Sequence, residues 1–407
     1  MSTTDTAAAA TPSASSSIAS FPSPVAHGSA ATVPAWPAIE VRQFHSLRPG
    51  PRLLIMGGVH GNETAGPNAI RQILAEFDAG LRRLERGVLT FVPVANPVAW
   101  ALNRREGDRN LNRDFRPAIS PETVEDRIAG RLAPILAQHD VLVDLHTFSA
   151  PGEAFVFFGP ANNQDELEPF ARAEEEERLA QAIGPRRLVH GWLSAYAKGV
   201  RRRHDGSIAY GVGTTEYMRA HGGYAVTVEC GQHLDPNAPA VARTAIDNAL
   251  ALLQMGGLPI DPITAASTAH TGGSGGTVET AQDTIVRSGS KDGRPDAMAD
   301  TQTMHAHTIS GDGRQTRTVT DGVRTLELIE LFDVFDRHDT EDQFVKTWRS
   351  FDRVAAGEVI ARRADGSTLT APEDGYVVFP NPGTPPGKEW FYFARPGRRQ
   401  LEGRDSR

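Results

Sequence analysis

The run Leu53-Leu54-Ile55-Met56-Gly57-Gly58-Val59-His60-Gly61-Asn62-Glu63 constrains the fold more than any other stretch of the chain. Its apolar part is continuous rather than alternating and closes on two glycines, the pattern of a strand buried on both faces. Glycines there let the backbone turn sharply without a Cβ penalty. His60 and Glu63 then fall in the loop beyond the carboxyl end of the strand, where ligands gather in open α/β sheets. An imidazole and a carboxylate at this spacing can reach one zinc ion, with a third ligand still to be found elsewhere.

Two further apolar runs end in the same way. Val141-Leu142-Val143-Asp144-Leu145-His146 ends in a histidine, and Ala225-Val226-Thr227-Val228-Glu229 ends in a carboxylate. If these strands are parallel, His60, Glu63, His146 and Glu229 meet at one sheet edge. Two histidines and a glutamate form a three-ligand zinc site with an open fourth position, the arrangement of catalysis rather than structure. Glu229 is then the unliganded carboxylate that can take a proton from water and hand it to a leaving amine. Asp144, two residues before His146, shares its face of the strand and is placed to orient a histidine ligand. Singly, each residue has a plainer reading, a hydrogen-bonded core histidine or a strand-end ion pair. Three strand ends that each deliver a metal-competent residue make the joint pattern specific.

Between and after these strands the periodicity predicts helices. Ala65–Leu84 carries Ile70, Ile73, Leu74 and Phe77 at helical spacing, and Pro121–Gln138 has acidic residues in its first turn, which suits the helix dipole. Glu168–Ile183 reads as a charged surface helix and Ala240–Met255 as an amphipathic one. Ile39–Phe44, Val88–Val94 and Phe155–Phe158 read as further strands. The alternation predicts an α/β fold, a mostly parallel mixed sheet flanked by helices, over residues 39–258. Residues 1–38, almost devoid of charge and aromatic groups, read as a disordered tail, and 264–320, rich in Gly, Ser, Thr, Asp and His, as a flexible insertion. Apolar residues return from Arg324, and short strands separated by Asp-Gly and Pro turns predict a small C-terminal β domain over 324–397.

Composition narrows the function. With 407 residues two cores are expected, and a net charge of −8 gives no electrostatic case for nucleic acid or an anionic membrane. No segment approaches the roughly 18 consecutive apolar residues of a bilayer span. A single cysteine, Cys230, excludes an internal disulfide framework, and with no signal-like amino terminus the expected compartment is the cytoplasm. The loop from Asn103 to Arg116 holds Arg104, Arg105, Arg109, Arg113 and Arg116. These arginines can solvate a surface excursion, or one can polarise a scissile carbonyl while an Asn–Arg pair clamps a carboxylate. Arg201-Arg202-Arg203 reads as a surface patch.

Taken together, Gly57–Glu63, Asn96-Pro97, Asn110-Leu111-Asn112-Arg113-Asp114-Phe115, Asp144-Leu145-His146 and Val228-Glu229-Cys230-Gly231 resemble, in order, the succinylglutamate desuccinylase/aspartoacylase family of the zinc carboxypeptidase clan. Ala371-Pro372-Glu373-Asp374-Gly375-Tyr376 resembles, more faintly, its carboxy-terminal β domain. The resemblance implies a zinc carboxypeptidase-like fold and one zinc ion per chain on His60, Glu63 and His146. It implies that Glu229 is the general base and Arg105 the carbonyl-polarising arginine. Asn112 and Arg113 match the pair that holds a substrate carboxylate. By spacing before Glu229, Arg219 matches a second anion-binding arginine, and Tyr392 matches a substrate-facing tyrosine of the β domain. The family usually has Asp where this chain has Asn110, which alters a contact behind the ligands. The expected activity is hydrolysis of the amide bond of an N-acyl amino acid, a small carboxylate-bearing substrate, with the homo-oligomeric state left open. The alternatives are a zinc carboxypeptidase acting on small peptides and a non-catalytic metal- or carboxylate-binding module.

Overall fold

In the computed structural model, residues 37–203, 206–259, 318–321 and 324–401 are described. The expected tail up to residue 36 and the expected insertion up to residue 317 lie outside them. From Pro37 onward the described residues belong to one compact unit.

The first half runs β1 (Arg42–His45), β2 (Arg52–Gly57), α1 (Ala65–Asp78), β3 (Arg82–Leu84), β4 (Val88–Val92), α2 (Pro97–Ala101), α3 (Val124–Ala137) and β5 (Val141–Phe148). There follow β6 (Phe155–Phe157), α4 (Ala173–Ala182), β7 (Arg187–His190), α5 (Trp192–Arg203), α6 (Thr214–Ala220), β8 (Tyr224–Gln232), α7 (Ala238–Leu252) and β9 (Gly256–Pro259). The C-terminal part is all strand: β10 (Thr318–Asp321), β11 (Arg324–Asp336), β12 (Gln343–Phe344), β13 (Asp352–Val354), β14 (Val359–Arg362), β15 (Thr368–Thr370), β16 (Gly375–Val378) and β17 (Glu389–Pro396).

Among the described residues one large sheet has the order β1-β4-β2-β5-β8-β6-β7-β11-β17-β16-β13, with β10 beside β11. The ladders β4/β2, β2/β5 and β5/β8 are parallel, so the carboxyl ends of β2, β5 and β8 lie on one edge. This is the mostly parallel mixed sheet flanked by helices that the alternation predicted. β11 pairs in parallel with β7, so the C-terminal strands continue the same sheet.

Burial explains the central strands. Every residue of β5 is buried, and its neighbours Leu53 to Met56 are fully so. One face packs Leu53, Ile55, Val143 and Val226 against α1 and α7. The other packs Leu54, Met56, Leu142 and Ala225 against α3. Strands covered on both faces need continuous apolar runs. The helix after β2 is shorter than its spacing suggests, ending at Asp78 before Gly80 (φ 71°), and Arg82–Leu84 becomes a short strand. There Arg82 is buried between Glu76 and Asp247, at 2.5 and 2.6 Å. α3 begins at Val124, where Thr123 and Asp126 cap each other reciprocally.

The expected charged surface helix exposes Glu174 and Arg178 on one face but buries charge on the other. It starts later, at Ala173, and it buries Glu176 and Glu177 at 1% and 3% exposure. Those carboxylates meet Arg219 and Arg399, partners too distant in sequence for helical spacing to reveal. Nor are Arg201–Arg203 a mere surface patch. Arg203 places both Asp336 oxygens within 2.8 Å and Arg202 lies 2.7 Å from Asp333, which ties α5 to β11.

Candidate metal centre and substrate cavity

The turn after β2 depends on two glycines. Gly58 sits at φ 60°, and a Cβ on Gly61 would run into the backbone of Ala99. With the chain folded back this tightly, His60 and Glu63 both point inward, 3% and 2% exposed. Glu63 is the hub. One of its oxygens lies 2.8 Å from His60 Nδ1, and the other lies 3.0 Å from His146 Nδ1 and accepts from Thr147 N at 3.0 Å. Ligand atoms of His60, Glu63 and His146 all fall within 4.8 Å of one another.

His60 Nε2 is 3.0 Å from Asn110 Oδ1, and His146 Nε2 approaches Asp144 Oδ2 to 3.1 Å. The acceptor behind His60 suits a ring proton on Nε2, whereas His146 Nε2 makes no hydrogen bond among the described residues. Although burial pulls the other way, Asp144 and Glu63 on either side hold the His146 pKa well above its ordinary value. Two ring nitrogens and a carboxylate that converge this closely form a group that could hold a metal ion. The donor set, two imidazoles and a carboxylate with acceptors behind the rings, is the one that suits zinc. Asp144 is itself held by the Thr214 hydroxyl at 2.6 Å.

Electrostatics follow from this packing. Burial and Arg105 lower the His60 pKa to about 4. For Glu63, burial alone would raise the pKa, but the paired histidines outweigh it and hold the carboxyl well below the usual range. Glu229 stands beside His146 in the β5/β8 register, 8% exposed, with Oε2 buried and unpartnered. Burial, reinforced by the Glu63 charge, pushes its pKa up to about 8.

Above the centre lies a cavity of about 1190 Å³. Arg105, half exposed, reaches Glu63 at 3.3 Å from the loop between α2 and α3. Asn112 lines the cavity and its Oδ1 accepts from Thr214 N at 3.0 Å, so the amino end of α6 fixes its amide. Arg113 is buried, with its guanidinium 4.6 Å from the Trp192 ring centroid and 5.7 Å from that of Tyr196. Its Nη2 pairs with Glu389 at 3.1 Å. Tyr392, 3% exposed, joins the same wall, and its hydroxyl is buried without a hydrogen-bond partner.

Arg219 also borders the cavity but is otherwise engaged. Its Nε lies 2.9 Å and 3.1 Å from the two oxygens of Glu176, its Nη1 binds Glu168 at 2.7 Å, and its Nη2 donates to Ala225 O at 2.9 Å. Expected as a second anion-binding arginine, it instead has a protein acceptor at every nitrogen.

Several residues of the site carried no sequence signal. Thr214, Glu389, Trp192 and Tyr196 come from segments read only as connections or turns. His190, at the end of β7, faces the cavity with Nε2 unpartnered, and burial lowers its pKa to about 4. A strand four residues long is too short for periodicity to expose that histidine.

A mostly parallel mixed sheet whose strand ends present a His–Glu–His set beneath a polar cavity defines the class: an α/β protein with a candidate metal centre at the carboxyl edge of its sheet. The profile of the succinylglutamate desuccinylase/aspartoacylase catalytic domain matches residues 49–253, and the chain belongs to that family. A probable aspartoacylase of Parasynechococcus marenigrum is 32% identical over 117 residues, 26% of this chain and 37% of that protein. An N-alpha-acetyl-L-2,4-diaminobutyric acid deacetylase of Halomonas elongata is 32% identical over 102 residues, 24% of this chain and 29% of that protein. The matched segments thus span only about a third of these relatives. Over the whole fold, a succinylglutamate desuccinylase/aspartoacylase of Rhodobacter sphaeroides superposes with TM-score 0.57 at 16% identity, covering 89% of this chain and 90% of that one. The product-bound ectoine utilization protein of Ruegeria pomeroyi gives 0.55 at 18% identity, covering 87% and 88%. No helix among the described residues is long and apolar enough to cross a membrane.

Proposed function

We propose that the chain is a zinc-dependent hydrolase that cleaves the amide bond of an N-acyl amino acid, with one zinc ion held by His60, Glu63 and His146. The observation that carries this reading is the convergence of His60, Glu63 and His146 ligand atoms within 4.8 Å of one another, with Glu229 Oε2 buried and unpartnered among the described residues in the adjoining strand. Zinc bound there supplies Lewis acidity and lowers the pKa of a bound water towards about 7.

The protein's own residues do the rest. Glu229 takes a proton from the attacking water at its free oxygen and delivers it to the departing nitrogen. Burial favours its protonated form, which suits the delivery, and a nearby cation favours the carboxylate needed for the first transfer. Arg105 aims its donors at the carbonyl oxygen, where negative charge develops. Asn112 and Arg113 hold a substrate carboxylate, and the Tyr392 hydroxyl is placed to add a donor. The rigid stack of Arg113 on Trp192 and Tyr196 fixes the angle of that fork. The deacylase names of the relatives support this reaction class. The lone Cys230, free and buried, accords with a reducing cytoplasm.

The deciding experiment is a turnover screen of the zinc-loaded protein on N-acetyl and N-succinyl amino acids beside dipeptides. Hydrolysis of acyl amino acids is expected. Turnover of dipeptides alone would make the chain a carboxypeptidase, and no turnover with zinc bound would end the hydrolase reading.

A further inference from the structure

Of the arginines that border the cavity, Arg113 and Arg219 are the two expected to hold a substrate carboxylate, and their partners differ. Arg113 meets one carboxylate, Glu389, donates from Nη1 to Asn112 O at 2.8 Å, and lies on the aromatic faces of Trp192 and Tyr196. Arg219 meets three: Glu176 at 2.9 Å, Glu168 at 2.7 Å and Glu216 at 3.6 Å. Glu176 is part of the scaffold, since it also accepts from Ala225 N at 2.7 Å and from Gly159 N. Glu168 differs. It lies in the connection before α4, it borders the cavity together with Glu216, and Arg219 is its hydrogen-bond partner among the described residues.

We infer that Glu168 is a specificity-determining residue: by occupying Arg219 it sets this end of the cavity against a second carboxylate, so the preferred substrate carries one. The inference rests on the deacylase reading and adds to it which amino acids are excluded. Its physical basis is local charge. Three carboxylates surround the Arg219 guanidinium, and the neighbouring Arg399 is itself paired with Glu177. An entering anion therefore meets a surplus of negative charge in a site that water screens poorly, and like-charge juxtaposition is strongly unfavourable. The surplus is felt by Glu168 itself. Burial, with Glu216 and Glu176 nearby, pushes its pKa up to about 7 although Arg219 pulls the other way. Selection here works by repulsion of the wrong ligand as much as by attraction of the right one.

The test is a binding comparison by calorimetry at pH 8, where Glu168 is ionised, using zinc-loaded protein in a Glu229→Gln background to suppress turnover. The ligands are N-acetylalanine, with one carboxylate, and N-acetylaspartate, with two. The protein with Glu168 intact is expected to favour N-acetylalanine by about tenfold or more. Glu168→Gln should reduce that preference by about tenfold or reverse it, because a guanidinium nitrogen is released, while Glu168→Asp, which keeps the charge, should preserve it. Tighter binding of N-acetylaspartate with Glu168 intact would overturn the inference without any variant having to fold. Binding of both ligands with the same ratio in all three proteins would overturn it too, leaving the deacylase reading intact. No binding of either ligand to any of them would remove both.

Discussion

The molecule buries two clusters of carboxylates and cationic or metal-competent groups under the same cavity, and they differ in one respect. Around Arg219 every guanidinium nitrogen has an acceptor within 2.9 Å. Around Glu63, by contrast, Asp144 Oδ1, His146 Nε2 and Glu229 Oε2 are buried without a hydrogen-bond partner among the described residues. A buried polar atom left unpaired costs roughly 1–3 kcal/mol, so a fold retains several in one place only where something else satisfies them. Arg82 Nη2 and Trp390 Nε1 are unpartnered among the described residues as well, so it is the gathering of such atoms beside the His60–Glu63–His146 group that sets this cluster apart. The two clusters look alike in composition, and the hydrogen-bond account tells them apart.

The strongest way to break this contrast is at Glu229. Glu229→Gln keeps the shape and removes the basic oxygen, so turnover should fall by about 10²–10⁴-fold with zinc content unchanged. Parent-like turnover at full zinc occupancy would take the base role away from Glu229.

Arg219→Ala should show the opposite profile. It leaves Glu176 and Glu168 buried without their cation, a loss on the order of 3–5 kcal/mol, while zinc binding persists. His146→Ala is the matched control, expected to lose zinc with a smaller change in the stability of the metal-free protein. Denaturant unfolding and metal analysis of both variants decide the point, and the contrast fails if the two profiles coincide.

Arg113→Lys sharpens the comparison at the second arginine. A point charge cannot reproduce a stacked, planar fork. KM for an N-acyl amino acid should therefore rise about tenfold, with little change for the analogue whose carboxylate is amidated. Equal effects on both ligands would mean that Arg113 supports its loop and does not read the substrate.

The smallest effect concerns pH. The groups facing Glu168 are Arg219, Glu216 and Glu176, and the net result of burial and these charges is a folded pKa of about 7, above the ordinary value of 4.5. A group raised on folding contributes stability that is complete below its unfolded pKa and lost as pH climbs through the folded one. Stability from Glu168 should thus decline between about pH 4.5 and pH 7, and Glu168→Gln should flatten that part of the profile. Identical slopes for parent and variant would show that Glu168 does not titrate in this range.

By itself the sequence determined the central strands and what stands at their ends. Continuous apolar runs can only be strands with both faces covered, and parallel pairing brings their carboxyl ends together, so His60, Glu63, His146 and Glu229 were legible as one group. Asp144 was legible from its two-residue spacing on β5. Tertiary structure alone decided which charges were already spoken for. Arg219 lies at the expected spacing before Glu229, yet its partners Glu168 and Glu176 are 51 and 43 residues away. Glu389, which faces Arg113, is 276 residues distant. Local periodicity reports which face of an element is apolar, but it says nothing about which distant side chain closes on a buried charge. That pairing depends on how the helices pack across the sheet, and here it separates an arginine with one carboxylate partner, Glu389, from one held by three.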